Sequence, residues 1–161
     1  VEISTGALGH ALPIACGKAL AAKLSLQPWQ VVVIMSDGEL QEGSNWEAIL
    51  FASHHRLNNL TICIDFNNLQ SLTTTDQTIS LRPLSQKLSA FGWFVEEVDG
   101  HDHGQIRKSL ISAKCNSKPA AVILNTVKGK GVSFMENSVD WHYRSPTDDE
   151  LQLALQELGI L

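Results

Sequence analysis

The chain has 161 residues, 43% hydrophobic and 18% charged, with a formal net charge of −5; this balance fits one globular core and offers no basic stripe for nucleic acid. A single domain of this length buries roughly 70% of its unfolded surface. No apolar run approaches the ~20 residues of a bilayer-spanning helix and VEISTGALGH lacks a charged-then-apolar leader, so the expectation is a cytoplasmic protein with no membrane or nucleic-acid partner. Cys16, Cys63 and Cys115 are odd in number and far apart, which predicts reduced, hydrophobe-like side chains. Because the chain starts at Val1, directly on a glycine-rich loop, it is expected to lack its N-terminal part.

Ser4-Thr5-Gly6-Ala7-Leu8-Gly9 reads as a small-residue loop. Pro13 suits a first helical turn, where its missing N–H costs nothing, and the helix is predicted to run to about Leu26. Ile14, Gly17, Ala21 and Leu24 lie at helical spacing and allow close approach of another backbone. Val31 to Met35 is a short, β-branched apolar run and predicts a strand buried on both faces. It stops at Ser36-Asp37-Gly38. Ser44-Asn45-Trp46-Glu47 fits a capping box, and Trp46, Ile49, Leu50, Ser53 and Leu57 continue at helical spacing until Asn58-Asn59. A second apolar strand, Leu60 to Ile64, ends at Asp65-Phe66-Asn67-Asn68.

Ser71 to Ser80 is polar, Thr-rich and without periodicity, and reads as a loop; Arg82-Pro83 then opens a short helix to about Phe91. Trp93 to Val98 predicts a third strand, followed by Asp99-Gly100-His101-Asp102-His103. No third ligand stands at a metal-binding interval from His101 and His103, so this is a strand-to-helix loop. His54 and His55, neighbours on a helix, are expected at the surface. Ile106, Leu110 and Ala113 predict a helix ahead of an apolar strand, Ala120 to Thr126. Lys128-Gly129-Lys130-Gly131 fails the phosphate-loop pattern, which needs four residues between its glycines and a Ser or Thr after the Lys. Thr147 to Glu150 is a second capping box, with Leu151, Ala154, Leu155 and Leu158 as the inward stripe of a closing helix.

Four β-rich runs alternating with helices predict one α/β domain over residues 1–161, a doubly wound, mostly parallel sheet with helices on both faces and ligands at the carboxyl edge. Right-handed crossover brings the ends of the first two strands to that edge, so Asp37 and Asn67 can share a site. A carboxylate, an amide oxygen and backbone carbonyls are hard ligands suited to Mg²⁺ or Ca²⁺ and poorly suited to zinc. The same residues are also ordinary strand-end turn formers.

SDGELQEGSNWEA, with Asn67 in DFNNLQ thirty residues after Asp37, resembles the thiamine-diphosphate signature of transketolases. The likeness extends from STGALGHALPIACGKALAAKL to KGKGVSFMENSVDWHYRSP, nearly the whole chain. Ser36 stands where the family pattern opens with Gly, Ala7 where it has Pro or Ser, and Ala11 where Gly is common. The resemblance implies a thiamine-diphosphate-binding fold in which Asp37, Asn67 and the Leu69 carbonyl hold Mg²⁺. Gly6, Ala7, Leu8, Gly38, Glu39, Asn67 and His142 would contact the cofactor. It further implies that His142 binds substrate and transfers protons, and that Glu42 lies at a subunit interface near the cofactor. The implied activity is transfer of a two-carbon ketol unit from a ketose to an aldose.

The family's glutamate for the aminopyrimidine belongs to a separate pyrimidine-binding domain, and WHYR at Trp141 to Arg144 looks closer to two-subunit members than to the WHG of long enzymes. The expected partner is therefore a C-terminal transketolase subunit carrying that domain, in a homo- or hetero-oligomer acting on sugars or sugar phosphates. Other enzymes with the same diphosphate site, a deoxyxylulose-phosphate synthase or a 2-oxo acid dehydrogenase subunit, are the alternative, as is a non-catalytic cofactor-binding fragment.

Overall fold

The computed structural model describes every residue from Val1 to Leu161. In chain order the elements are α1 (Ala11–Leu24), β1 (Val31–Ser36), α2 (Gly43–His54), β2 (Leu60–Phe66), α3 (Thr75–Ile79), α4 (Leu84–Ala90), β3 (Phe94–Asp99), α5 (His103–Lys114), β4 (Ala120–Asn125) and α6 (Asp148–Glu157). Short 3₁₀ turns follow β1 at Gly38–Gln41 and precede α6 at Val139–His142. The strands form one parallel sheet in the order β1-β2-β4-β3. The expected α/β architecture is therefore present. Registers of Ser36 with Asp65, Phe66 with Asn125 and Asp99 with Asn125 bring all four carboxyl ends to one edge.

Side chains alternate between the two faces. Val33, Met35, Ile62, Ile64, Ala121 and Ile123 join Leu12, Ala19, Ile49, Leu88 and Trp93 in the main core, beneath α1, α2 and α4. The opposite face buries Thr61, Cys63, Ala120 and Val122 with Ser109 and Ala113 of α5. Helix α5 packs over β4, β3 and β2, so the edge strand β1 leaves Val32 55% and Ile34 79% exposed. That corrects the expectation of a strand buried on both faces: an apolar run does not reveal whether a second layer reaches it.

Helix α1 buries Leu12, Ala15, Cys16, Ala19 and Ala22 against the chain's own core. The small-residue stripe of Ile14, Gly17, Ala21 and Leu24 faces outward. Helix α2 opens differently from its predicted capping box. Glu42 is the N-cap without a side-chain bond, and the Ser44 hydroxyl instead donates to Gly9 O at 2.7 Å. The helix ends at His54, and Lys23 Nζ donates to the carbonyls of His55 and Arg56 at 2.8 and 3.0 Å, placing a cation at the negative end of the helix dipole. The box at Thr147 and Glu150 is formed as expected. The stripe behind it is not: Ala154 is buried, while Leu151 and Leu158 are 43% and 48% exposed. His54 is exposed and His55 half-buried. All three cysteines are free; Cys16 and Cys63 are buried, and burial pushes the Cys16 thiol up to about 11, so neither is a nucleophile near neutral pH.

Candidate functional site

The strand-end turns of β1 and β2 interlock. Asp37 N–H donates to Asp65 O at 3.1 Å. The Asp37 carboxylate accepts Gly38 N–H at 2.7 Å on one oxygen and Asn68 N–H at 2.6 Å on the other. Asn67 Oδ1 accepts Leu69 N–H at 2.9 Å. Asp37, Gly38, Asn67 and Leu69, singled out in the sequence, are thus joined through two adjacent turns. Ser36, which stands where the related pattern has glycine, has an ordinary negative φ. Its hydroxyl accepts Glu39 N–H at 3.1 Å and closes the 3₁₀ turn, so the substitution fits without strain.

Asp37 is fully buried, and none of the chain's three ion pairs involves it. Burial pushes its carboxyl up, opposed by the N–H bonds from Asn68 and Gly38, and the Asp65 charge adds to the rise. A desolvated carboxylate without a cationic side chain is electrostatically incomplete, and a cation at this turn would relieve it. The chain has no cluster of three or more His, Cys, Asp or Glu side chains suited to a metal. A metal here would add the Asn67 amide oxygen and a backbone carbonyl to one carboxylate, a set that matches Mg²⁺ with positions left for diphosphate oxygens. The residues present fit the group.

The glycine-rich loop is latched to this turn. Gly9 N–H donates to Glu39 Oε1 at 3.2 Å, and Gly9 O takes the Ser44 hydroxyl. Glu39 is buried and its own carbonyl accepts Asn45 Nδ2 at 2.6 Å. Gly6, Ala7 and Leu8 are exposed just before the latch, with Ala7 N–H turned onto Thr5 Oγ1 at 3.0 Å. Glu42 is exposed at the start of α2. His142 is exposed in the 3₁₀ turn of the loop that leaves β4 at the same edge, its ring edge-on to Tyr143 at 4.9 Å. No hydrogen bond joins His142 or Glu42 to the Asp37 turn.

Several supporting residues escape the sequence reading. Asn68 adopts φ +62; its side-chain oxygen accepts Arg82 Nη2 at 2.8 Å and its carbonyl accepts Thr75 N–H at 3.0 Å. Helix α3 therefore braces the turn from within a segment expected to be loop. The signal was Thr74 followed three residues later by Gln77, and Thr74 Oγ1 accepts Gln77 N–H at 3.2 Å. Asp65, at the end of β2, accepts the Thr126 hydroxyl and ties the root of the last loop to the same edge.

Comparison with known proteins gives a uniform result. The family described as "Transketolase, thiamine diphosphate binding domain" matches residues 1–161. An apulose-4-phosphate transketolase subunit of Actinobacillus succinogenes is 48% identical over 158 residues, which cover 98% of this chain and 57% of that relative. A 6-deoxy-6-sulfo-D-fructose transketolase subunit from a Clostridium species is 38% identical over 159 residues, 98% of this chain and 58% of its own length. The crystal structure of transketolase from Campylobacter jejuni matches with a TM-score of 0.93 at 31% identity, over 99% of this chain and 26% of that one. The chain spans a little over half the length of these curated relatives.

Proposed function

Because the chain belongs to the family of transketolase thiamine-diphosphate-binding domains, we propose that its 161 residues act as the diphosphate- and Mg²⁺-binding domain of a two-subunit, cytoplasmic transketolase-type transferase. The observation that carries this reading is the buried Asp37 carboxylate, without a cationic partner, interlocked with the Asn67 turn. Asp37, Asn67 Oδ1 and the Leu69 carbonyl would ligate Mg²⁺ and leave coordination positions for two phosphate oxygens. The exposed residues Gly6, Ala7 and Leu8, held by the Gly9 latch on Glu39, would line the cofactor beside Gly38. Thiamine diphosphate, when bound, supplies the carbon that accepts a two-carbon ketol unit from a ketose and hands it to an aldose. His142 holds and moves protons at the substrate oxygens, a role suited to an exposed imidazole on the loop that leaves β4 at this edge. Glu42 is assigned to the contact with the partner subunit.

Two relatives are named as transketolase subunits, which supports a partner chain carrying the pyrimidine-binding half. Their names specify a sugar phosphate and a sulfosugar, so an anionic sugar is the proposed substrate class here. Ketol transfer by the chain mixed with its partner subunit tests the proposal. Two-carbon transfer to an aldose phosphate is expected, and pyruvate decarboxylation in its place would overturn it.

A further inference from the structure

The turn that ends β3 is built against the end of β4. Gly100 N–H donates to Asn125 O at 2.8 Å. A Cβ at Gly100 would lie 3.0 Å from Leu124 Cβ and 3.1 Å from Asn125 O, and would collide with Thr126 Cγ2, so the close approach requires glycine. Asp99 Oδ1 accepts His101 N–H at 2.8 Å and fixes the backbone from which the His101 ring projects. Val127 N–H then donates to His101 Nε2 at 2.8 Å. A backbone amide can only donate, so Nε2 carries the lone pair and the ring is neutral with its proton on Nδ1.

Val127 is the root of the loop that carries His142. That loop is cross-braced: Asn137 N–H donates to Lys128 O at 3.0 Å, Val132 N–H to Gly129 O at 3.1 Å, and Trp141 Nε1 to Phe134 O at 2.9 Å. Gly129, at φ +73, lets the Met135 backbone approach; its carbonyl oxygen would stand 2.6 Å from a Cβ. The Phe134 and Trp141 rings pack at 5.4 Å. A segment braced in this way carries the direction in which it leaves the sheet through to His142, with a further tie where Ser133 N–H and Oγ bond the Glu157 carboxylate of α6. Two adjacent residues anchor it at the sheet. Thr126 bonds the Asp65 carboxylate through its hydroxyl and Phe66 O through its N–H at 3.3 Å, and Val127 bonds His101.

We propose that His101 is a positioning residue for the loop from Thr126 to His142: its neutral ring accepts the Val127 N–H and fixes the direction in which His142 is presented to the carboxyl edge. The inference rests on the reading of His142 as the residue that handles protons. Two substitutions separate the acceptor from the ring. His101→Phe keeps an aromatic ring on an exposed site and removes the acceptor; His101→Gln keeps an acceptor oxygen of similar reach and removes the ring.

In the wild-type chain, the ¹⁵N shifts of His101 are expected to report a protonated Nδ1 and a bare Nε2. His101→Phe is expected to speed hydrogen exchange at the Val127 amide roughly tenfold. In the enzyme assembled with its partner subunit it should lower kcat roughly fivefold or more while leaving the affinity for thiamine diphosphate with Mg²⁺ unchanged. His101→Gln should restore both exchange protection and kcat. Unchanged Val127 exchange in His101→Phe would overturn the proposal, as would lost protection with unaltered kcat, or full function in the Phe variant with failure of the Gln variant. A wild-type assembly that transfers no ketol unit would sink the functional reading itself, and the exchange and shift measurements would still decide whether His101 holds the loop.

Discussion

Gly9 is the position where one methyl group would do most damage to the glycine-rich loop. Its φ is +79, and a Cβ would collide with Ser44 Oγ and stand 2.8 Å from Glu42 Cβ. Gly9→Ala therefore combines backbone strain with a forced opening of the latch to Glu39 and Ser44, a cost of about 1–3 kcal/mol. A lower melting temperature and weaker cofactor binding are expected, measured by thermal unfolding with and without thiamine diphosphate; wild-type values in both would mean that the latch does not shape the loop. His142 makes the opposite prediction, because it is exposed and supports no packing beyond the Tyr143 ring. His142→Ala should leave folding and metal affinity near wild type and lower kcat about 10²-fold, the usual scale for a lost proton-transfer group. Wild-type turnover would return His142 to an exposed loop residue without a catalytic part.

The helices differ in how they reveal themselves. Helix α6 carries its start signal in four residues: Thr147 Oγ1 accepts Glu150 N–H, and Thr147 N–H donates to Glu150 Oε2 at 2.8 Å. The bond from Thr147 N–H, together with the Thr147 hydroxyl and Arg144, holds the Glu150 carboxyl below its ordinary value of 4.5. A depressed folded value means that the box stabilises the helix fully above pH 4.5 and loses that contribution as pH falls through the lower folded value. Cα chemical shifts of residues 148–157 should move toward coil across that range, and Thr147→Ala should flatten the change; shifts insensitive to acid would contradict it.

The strands and α5 are legible because apolar β-branched runs and an i, i+4, i+7 spacing at Ile106, Leu110 and Ala113 are local patterns. Helix α3 is not, since its five residues are too few to show a period. The misread capping box at Ser44 has a tertiary cause: its hydroxyl bonds Gly9, 35 positions away. The Asp37 turn falls between these cases. Asp37 and Asn67 are visible as strand-end residues, but the interlock depends on backbone N–H groups and on Asn68 at φ +62, which spacing does not encode.

For the whole molecule, one group of exposed apolar residues gathers along the edge of the sheet. Ile14, Leu24, Trp29, Val32 and Ile34 are 39%, 77%, 55%, 55% and 79% exposed, and they group around the edge strand β1 and the outer stripe of α1. A cleft of about 1000 Å³ opens between Ile14, Trp29, Val32 and Ile34 and the first residues, reaching Glu39. Contiguous apolar surface of this kind marks a face built to be covered. The proposed partner assembly should bury well over ~1,000 Å² in total, including the stripe of Ile14, Gly17 and Ala21. A Cβ at Gly17 meets no neighbour within 4 Å in the chain itself, so Gly17→Glu should block assembly while leaving the isolated fold intact. Normal assembly by that variant would move the interface elsewhere.

The proposed function centres on a cation at the Asp37 turn. Its most direct test is calorimetric titration of thiamine diphosphate into the chain assembled with its partner subunit, with Mg²⁺ and then with chelator, in the wild type and in Asp37→Ala and Asn67→Ala. Binding that requires Mg²⁺ and is weakened about tenfold or more, ~1.4 kcal/mol, by either substitution is the predicted result. Equal affinity in all three proteins, with or without Mg²⁺, would contradict it.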